Sequence, residues 1–411
     1  MTKLEIMAPV GNWESLDAAI KGGANSIYFG ISQLNMRSRS NINFTIKDLK
    51  KISKICNKNN VKKYLALNVV MYDSDINKMR KICDSAKEAG INALIISDIA
   101  AINYARSIGL NIHMSTQCNI SNIESIKFYS QFANVIVLAR ELSLSQIKKI
   151  TDQIKKEKII GPNNNLVRIE VFCHGAMCVA ISGKCYMSLA TYNASANKGR
   201  CMQNCRRSYI VKDAETGEKL KIENKFVMSP KDMCTIDIMD KIIKSGATVF
   251  KIEGRGRSPE YAYTVTKCYR EAADSILNKT YTKTKVKNWT KELKTVYNRG
   301  FWNGYYLRQK TNIWSKSYGS KATKSKQFVG KIKNYYSKLN VATVYIESEE
   351  FKENDEVLIL GKTTGFLKFK VTNILLEDEK IQNAKKKQLV SFKVPQKVRK
   401  NDSLYVLKDN K

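Results

Sequence analysis

Eight times before residue 253, this chain runs a short apolar segment into a stretch of helical period, and few folds accommodate that rhythm. The apolar segments are 4–8, 26–29, 64–68, 93–97, 111–115, 135–139, 167–172 and 248–252. Most are apolar throughout rather than alternating, as parallel strands buried on both faces must be. Between them, Trp13, Leu16 and Ile20 recur at helical spacing behind Asn12, a helix N-cap. Ser143 and Gln146 form a capping box, and Gly22-Gly23 and Gly90 stand where helices stop. Eight such units predict an α/β fold closed into a (β/α)8 barrel. A doubly wound open sheet is the alternative, though it normally carries fewer strands. Pro9-Val10-Gly11 follows the first strand in place of a phosphate-binding glycine fingerprint, so no nucleotide cofactor is indicated.

Such barrels place their active sites at the C-terminal strand ends. Here those ends carry Asn68, Asp98, Ser115 with Gln117, Arg140 with Glu141, His174, and Glu253 with Arg255. Taken singly, Asp98 or Glu141 is as well explained as a helix cap. Taken together, the polar ends converge on one mouth.

Beyond a helix at 258–277, a lysine-rich stretch leads to an aromatic segment, 297–306. Residues 307–327 then hold Arg308, Lys310, Lys316, Lys321, Lys324 and Lys326 with no acidic residue, and read as a basic linker. Rings interleaved with cations suit base stacking and phosphate contact, while packing against the barrel flank explains them equally. From 328 onward, short alternating strands at 339–346, 356–360, 367–374, 389–393 and 403–406 predict a small antiparallel β-barrel. The expected organisation is therefore a barrel over 1–277 with a cysteine-rich insertion at 173–234, a helical segment and linker over 278–327, and a β-barrel over 328–411.

The chain of 411 residues carries 71 Lys and Arg against 37 Asp and Glu, a formal charge of +34. Such a field attracts polyanions, nucleic acid before an acidic membrane, although a lysine-rich composition alone produces it too. The first residues lack the apolar core of a signal peptide, and no run approaches the roughly 20 apolar residues of a membrane span. A cytosolic location is expected, where ten cysteines are poor disulfide candidates and better metal ligands or reactive thiols. The two histidines, His113 and His174, exclude a site built from several imidazoles.

Six of the ten cysteines fall between the last two strands: Cys173, Cys178, Cys185, Cys201, Cys205 and Cys234. There is no C-x-x-C knuckle of a zinc ribbon, and the third cysteine of a radical-SAM motif is missing. Spacing alone leaves an iron–sulfur cluster, a zinc site and incidental thiols side by side. Larger blocks say more. Glu170-Val-Phe-Cys-His174-Gly-Ala-Met-Cys178, Ser182-Gly-Lys-Cys185-Tyr-Met-Ser188, Asn197-Lys-Gly-Arg-Cys201 with Cys205-Arg206, Ser229-Pro-Lys-Asp-Met-Cys234 and Lys251-Ile-Glu253-Gly-Arg255 resemble the collagenase-like peptidase U family. Met7-Ala-Pro-Val-Gly11, Ser115-Thr-Gln117, Arg140-Glu141 and Asn298-Arg-Gly-Phe301 fit as well, so the resemblance spans essentially the whole chain.

The resemblance implies more than proteolysis. Better understood members resemble oxygen-independent hydroxylases carrying a four-iron (4Fe-4S) cluster on four cysteines. One branch makes 5-hydroxyuridine at the tRNA wobble position and depends on prephenate. Another hydroxylates a cytidine of large-subunit ribosomal RNA, and a third acts in quinone synthesis. Length, terminal β-domain and charge point to the tRNA branch, with a second family member as a further candidate partner. Carried over by position, the cluster ligands are Cys178, Cys185, Cys201 and Cys234, with Cys205 a fifth candidate beyond the needed count. His174 is then placed for proton transfer, Arg140 and Arg255 for the donor's carboxylates, and Glu253 to orient Arg255 or act as a base. Asn68, Ser115, Gln117, Glu141 and Glu170 are expected to contact substrate.

A peptidase is the competing enzyme class. The chain has no H-E-x-x-H helix and no G-x-S-x-G elbow, and adjacent Cys173 and His174 on a strand point to opposite faces. A non-catalytic RNA-binding protein with a structural metal is the third class.

Overall fold

The structure, a computed structural model, describes residues 4–38, 43–210, 212–218, 228–308, 313–316 and 319–410; Lys310 of the basic stretch lies outside them. Strand and helix alternate as β1 (Glu5–Pro9), α1 (Trp13–Lys21), β2 (Ser26–Phe29), α2 (Leu49–Lys58), β3 (Lys62–Leu67) and α3 (Ile76–Glu88). They continue as β4 (Ala93–Ile96), α4 (Ile99–Ser107), β5 (Ile112–Met114), α5 (Ile123–Ser130), β6 (Val135–Val137) and α6 (Leu144–Lys156). β7 (Arg168–Gly175) leads into the insertion, which holds α7 (Met187–Tyr192) and β8 (Asp232–Cys234). Then α8 (Met239–Lys244), β9 (Val249–Ile252) and α9 (Pro259–Leu277) complete the pattern. β9 pairs in parallel with both β1 and β7, with Met7 opposite Lys251 and Val171 opposite Phe250. That double pairing closes eight parallel strands into a barrel, and the open sheet is excluded.

Local chemistry sets the helix starts. Asn12 accepts the Ser15 N–H at 2.8 Å, and Ser143 and Gln146 cap each other. Asp98 accepts the N–H groups of Ala100 and Met71, both at 2.9 Å, so at this strand end the capping role holds. The insertion is fastened to the barrel because β8 runs antiparallel along the end of β7, His174 opposite Cys234. After α10 (Lys283–Lys294), β10 (Phe301–Trp302) adds to β8 on its other side.

The C-terminal region contains β11 (Lys324–Tyr336), β12 (Val341–Ile346), β13 (Phe351–Lys352), β14 (Glu356–Gly361) and β15 (Gly365–Lys370). β16 (Ile374–Leu376), β17 (Glu379–Ile381), β18 (Asn383–Ala384), β19 (Leu389–Lys393) and β20 (Ser403–Asp409) follow. Eight of these form one antiparallel sheet, in the order β15-β14-β20-β11-β12-β19-β16-β17, around a single apolar core. β11 begins inside the stretch read as linker. Its opening residues, Lys324 to Gln327, are all polar and give no apolar signal; pairing with β20 makes them a strand. The sheet docks on the barrel where Leu358 and Phe366 pack on Ala18 of α1 and Ala262 of α9. Asp17 accepts the Phe366 N–H at 2.8 Å and Lys21 donates to its carbonyl at 2.7 Å. Among the described residues no helix is long and apolar enough to cross a membrane.

Candidate active site

The C-terminal strand ends open into a cavity of about 440 Å³, roofed by the insertion. On one wall Asn68, after β3, donates from Nδ2 to Ser115 Oγ at 3.4 Å and to Gln117 Oε1 at 3.2 Å, with the Ser115 hydroxyl also on Gln117. Opposite, Arg140 lies over the Phe172 ring at 3.8 Å and donates from Nη1 to the Ala176 carbonyl at 3.1 Å. Glu253 and Arg255 follow β9. Glu253 takes the Arg37 guanidinium at 2.9 Å and the Ala176 N–H at 3.2 Å. Burial alone would push its carboxyl up, but the charges of Arg37, Arg257 and Arg140 hold it at about 2, so it is ionised at neutral pH.

Arg255 is buried, and its Nη1 has no hydrogen-bond partner among the described residues; nor has Nε of Arg140. Burial draws Arg255 down to about 10, which still leaves it charged near neutrality. Its place depends on Gly30, where a Cβ would collide with Arg255 Nη1 and Asn35 Oδ1. The cavity lining holds seven cations, Arg37, Arg140, Arg206, Lys251, Arg255, Arg257 and Arg299, against one carboxylate, Glu253. A site of this charge is suited to an anion, and unpartnered guanidinium N–H groups suit a carboxylate or phosphate.

Cys178, Cys185, Cys201 and Cys205 all line this cavity, and all four are free thiols. No hydrogen-bond partner engages them among the described residues. Burial pushes the Cys205 thiol up; Arg206 opposes this, while negative charge on Cys178, Cys201 and Cys185 adds to it. Among the described residues no three His, Cys, Asp or Glu side chains stand close enough to hold one metal ion. Four thiols lining one cavity are nonetheless the donor type that a polynuclear iron–sulfur centre uses.

Four expected site residues lie elsewhere. Cys234 does not line the cavity. It is buried on β8 with Tyr269 Oη 3.9 Å from its sulfur, and burial pushes its thiol up to about 12. Cys205 stands where the fourth cavity thiol was expected of Cys234. His174 is 1% exposed and faces Tyr269, Tyr261 and Phe301, with Nδ1 3.4 Å from Tyr269 Oη. A bulge between Phe172 and His174 turns the ring away from the barrel axis towards α9, and burial lowers its pKa to about 3. Glu170 is fully buried inside the barrel, 2.7 Å from Lys251 and 3.6 Å from His113. Glu141 is exposed and outside the lining.

Lys251 was legible only as part of a motif, yet it is a lysine in an otherwise apolar strand, which is a signal in itself. Arg37 belongs to the loop after β2 and had none beyond that position.

A profile of peptidase family U32 matches residues 11–316. A collagenase of Porphyromonas gingivalis (strain ATCC BAA-308 / W83) is 52% identical over 401 residues, covering 98% of this chain and 97% of that protein. The tRNA hydroxylation protein P1 of Bacillus subtilis (strain 168) is 29% identical, covering 96% of this chain and 93% of its own length. A 23S rRNA 5-hydroxycytidine synthase of Escherichia coli (strain K12) is 32% identical over 67% of this chain and 40% of its own.

Proposed function

Because this chain belongs to peptidase family U32, we propose that it is an iron–sulfur-dependent RNA hydroxylase whose substrate is the wobble uridine of tRNA, converted to 5-hydroxyuridine. The observation that carries the reading is the meeting of four free thiols and seven cations in one barrel-mouth cavity. Cys178, Cys185, Cys201 and Cys205 would hold a 4Fe-4S cluster, which supplies redox and Lewis-acid capacity that side chains lack. Arg255 and Arg140, each with a buried nitrogen that has no partner among the described residues, bind the carboxylates of a prephenate-like hydroxyl donor. Glu253, ionised and paired with Arg37, offsets part of the repulsion among the arginines around it. The amide and hydroxyl groups of Asn68, Ser115 and Gln117 offer donors and acceptors to the edge of a nucleobase.

The relatives' names divide between collagenase and RNA hydroxylation, and the chemistry of the cavity favours the second. A thiol protease needs an imidazole beside its sulfur, and neither histidine lines the cavity. Deleting the gene is expected to remove 5-hydroxyuridine, or nucleosides built on it, from tRNA, as read by mass spectrometry. Loss from ribosomal RNA alone would reassign the substrate, and two unchanged pools in a strain without a paralogue would overturn the reading.

A further inference from the structure

We propose that the open face of the C-terminal sheet, across β11, β12 and β19, is a docking surface for the RNA substrate, resting on the RNA reading above. The sheet's outer face is used twice. On one side Leu358, Phe366 and Tyr405 are packed against the barrel. On the other the same face continues uncovered. There Lys331, Tyr345 and Leu389 lie in one cross-strand row, and Tyr336, Val341 and Lys393 in another. Tyr336 is 48% exposed, Tyr345 36% and Leu389 54%, while the residues between them on each strand, among them Ala342, Val344, Val390 and Phe392, point into the core. Single exposed apolar groups need no explanation, but rings and cations sharing one face do.

Charge selects the occupant. Residues 328–346 carry Lys331, Lys333 and Lys338 and no acidic residue; 381–401 carry seven Lys and Arg and again none. Lys333 stands 5.7 Å from the Tyr345 ring centre and pairs with Glu347 at 3.7 Å, and Glu350 accepts the Lys386 N–H at 3.2 Å. The two tyrosine rows cross β12 at Val341 and Tyr345, four positions apart, roughly 13 Å at strand rise. Rings spaced along a lysine-lined strip suit unpaired bases stacking while phosphates meet ammonium groups.

The test uses the full chain and total tRNA as probe, in fluorescence anisotropy across a salt series. Wild type is expected to bind with a steep salt dependence. Tyr336→Ala with Tyr345→Ala should weaken binding by about tenfold per ring removed, whereas Tyr336→Phe with Tyr345→Phe should restore it, since stacking needs only the ring. Lys331→Gln and Lys393→Gln should each lower the salt slope by about one. In turnover the double alanine variant should raise KM and leave kcat unchanged, with an unaltered melting temperature. Wild-type binding that survives the double alanine change would overturn this proposal and leave the hydroxylase reading intact. A wild type that binds no tRNA would overturn both.

Discussion

The two ends of the barrel are made by the same strands and treat buried charge in opposite ways. At the N-terminal end, Glu5 is met by Arg168 at 2.9 Å, by the Tyr64 hydroxyl at 2.7 Å and by Lys62 at 3.8 Å. At the mouth Arg37, Lys251 and Arg299 are paired with Glu253, Glu170 and Asp232, but buried nitrogens of Arg255 and Arg140 have no partner among the described residues. Size does not separate the ends, because the cavity at the bottom is about 480 Å³ and that at the mouth about 440 Å³. Charge satisfaction does. A buried guanidinium nitrogen left without an acceptor costs of order 1–3 kcal/mol, and a fold retains it where a ligand completes the bond.

The contrast breaks most sharply on activity. Arg255→Ala is expected to lower turnover by about 10³-fold while iron and sulfide content stay at wild-type level. Arg168→Ala, at the other end, should leave turnover within about twofold and lower stability instead; equal losses of activity would abolish the distinction. Within the cysteines, Cys205→Ser should lose most of the iron taken up on anaerobic reconstitution, and Cys234→Ser should keep it. The reverse result would return the fourth ligand to β8.

Acid denaturation sharpens the paired end. Burial pushes Glu5 up, but Arg168, Tyr64 and Lys62 together hold it at about 2. Its folded value lies below the unfolded one, so its contribution is complete above about pH 4.5 and is lost as pH falls towards 2, of order 3 kcal/mol in all. Glu5→Gln should flatten the denaturant midpoint against pH in that window. His174 gives the smallest activity effect. Held at about 3 by burial, it stays neutral while an unfolded chain takes up a proton below about pH 6.5, so stability falls as pH drops from 6.5 to 3. His174→Phe should remove that slope and change turnover less than tenfold; a total loss of turnover would put the ring back in the chemistry.

The barrel was legible because buried parallel strands must be apolar on both faces, and Ala93–Ile96 or Val135–Val137 satisfy little else. Asn68, Ser115, Gln117, Arg140, Glu253 and Arg255 were legible as strand ends, since closure alone carries such residues to one rim. His174 was misplaced because a one-residue bulge reverses a side chain without leaving a mark in the pattern. Cys205 and Cys234 both sit in characteristic blocks, and only the antiparallel seat of β8 against β7 draws Cys234 out of the cavity.

That insertion also fixes an order of events during synthesis. Residues 176–248 lie between the seventh barrel strand and the one that closes the ring. At about 5 to 20 residues per second, a ribosome takes roughly 4 to 15 s to deliver them. The ring cannot close before β9 emerges, and all four cavity thiols leave the ribosome before β9 does. An iron donor acting on the nascent chain would therefore meet these thiols beside an unclosed ring, with no mouth yet built to admit or refuse it.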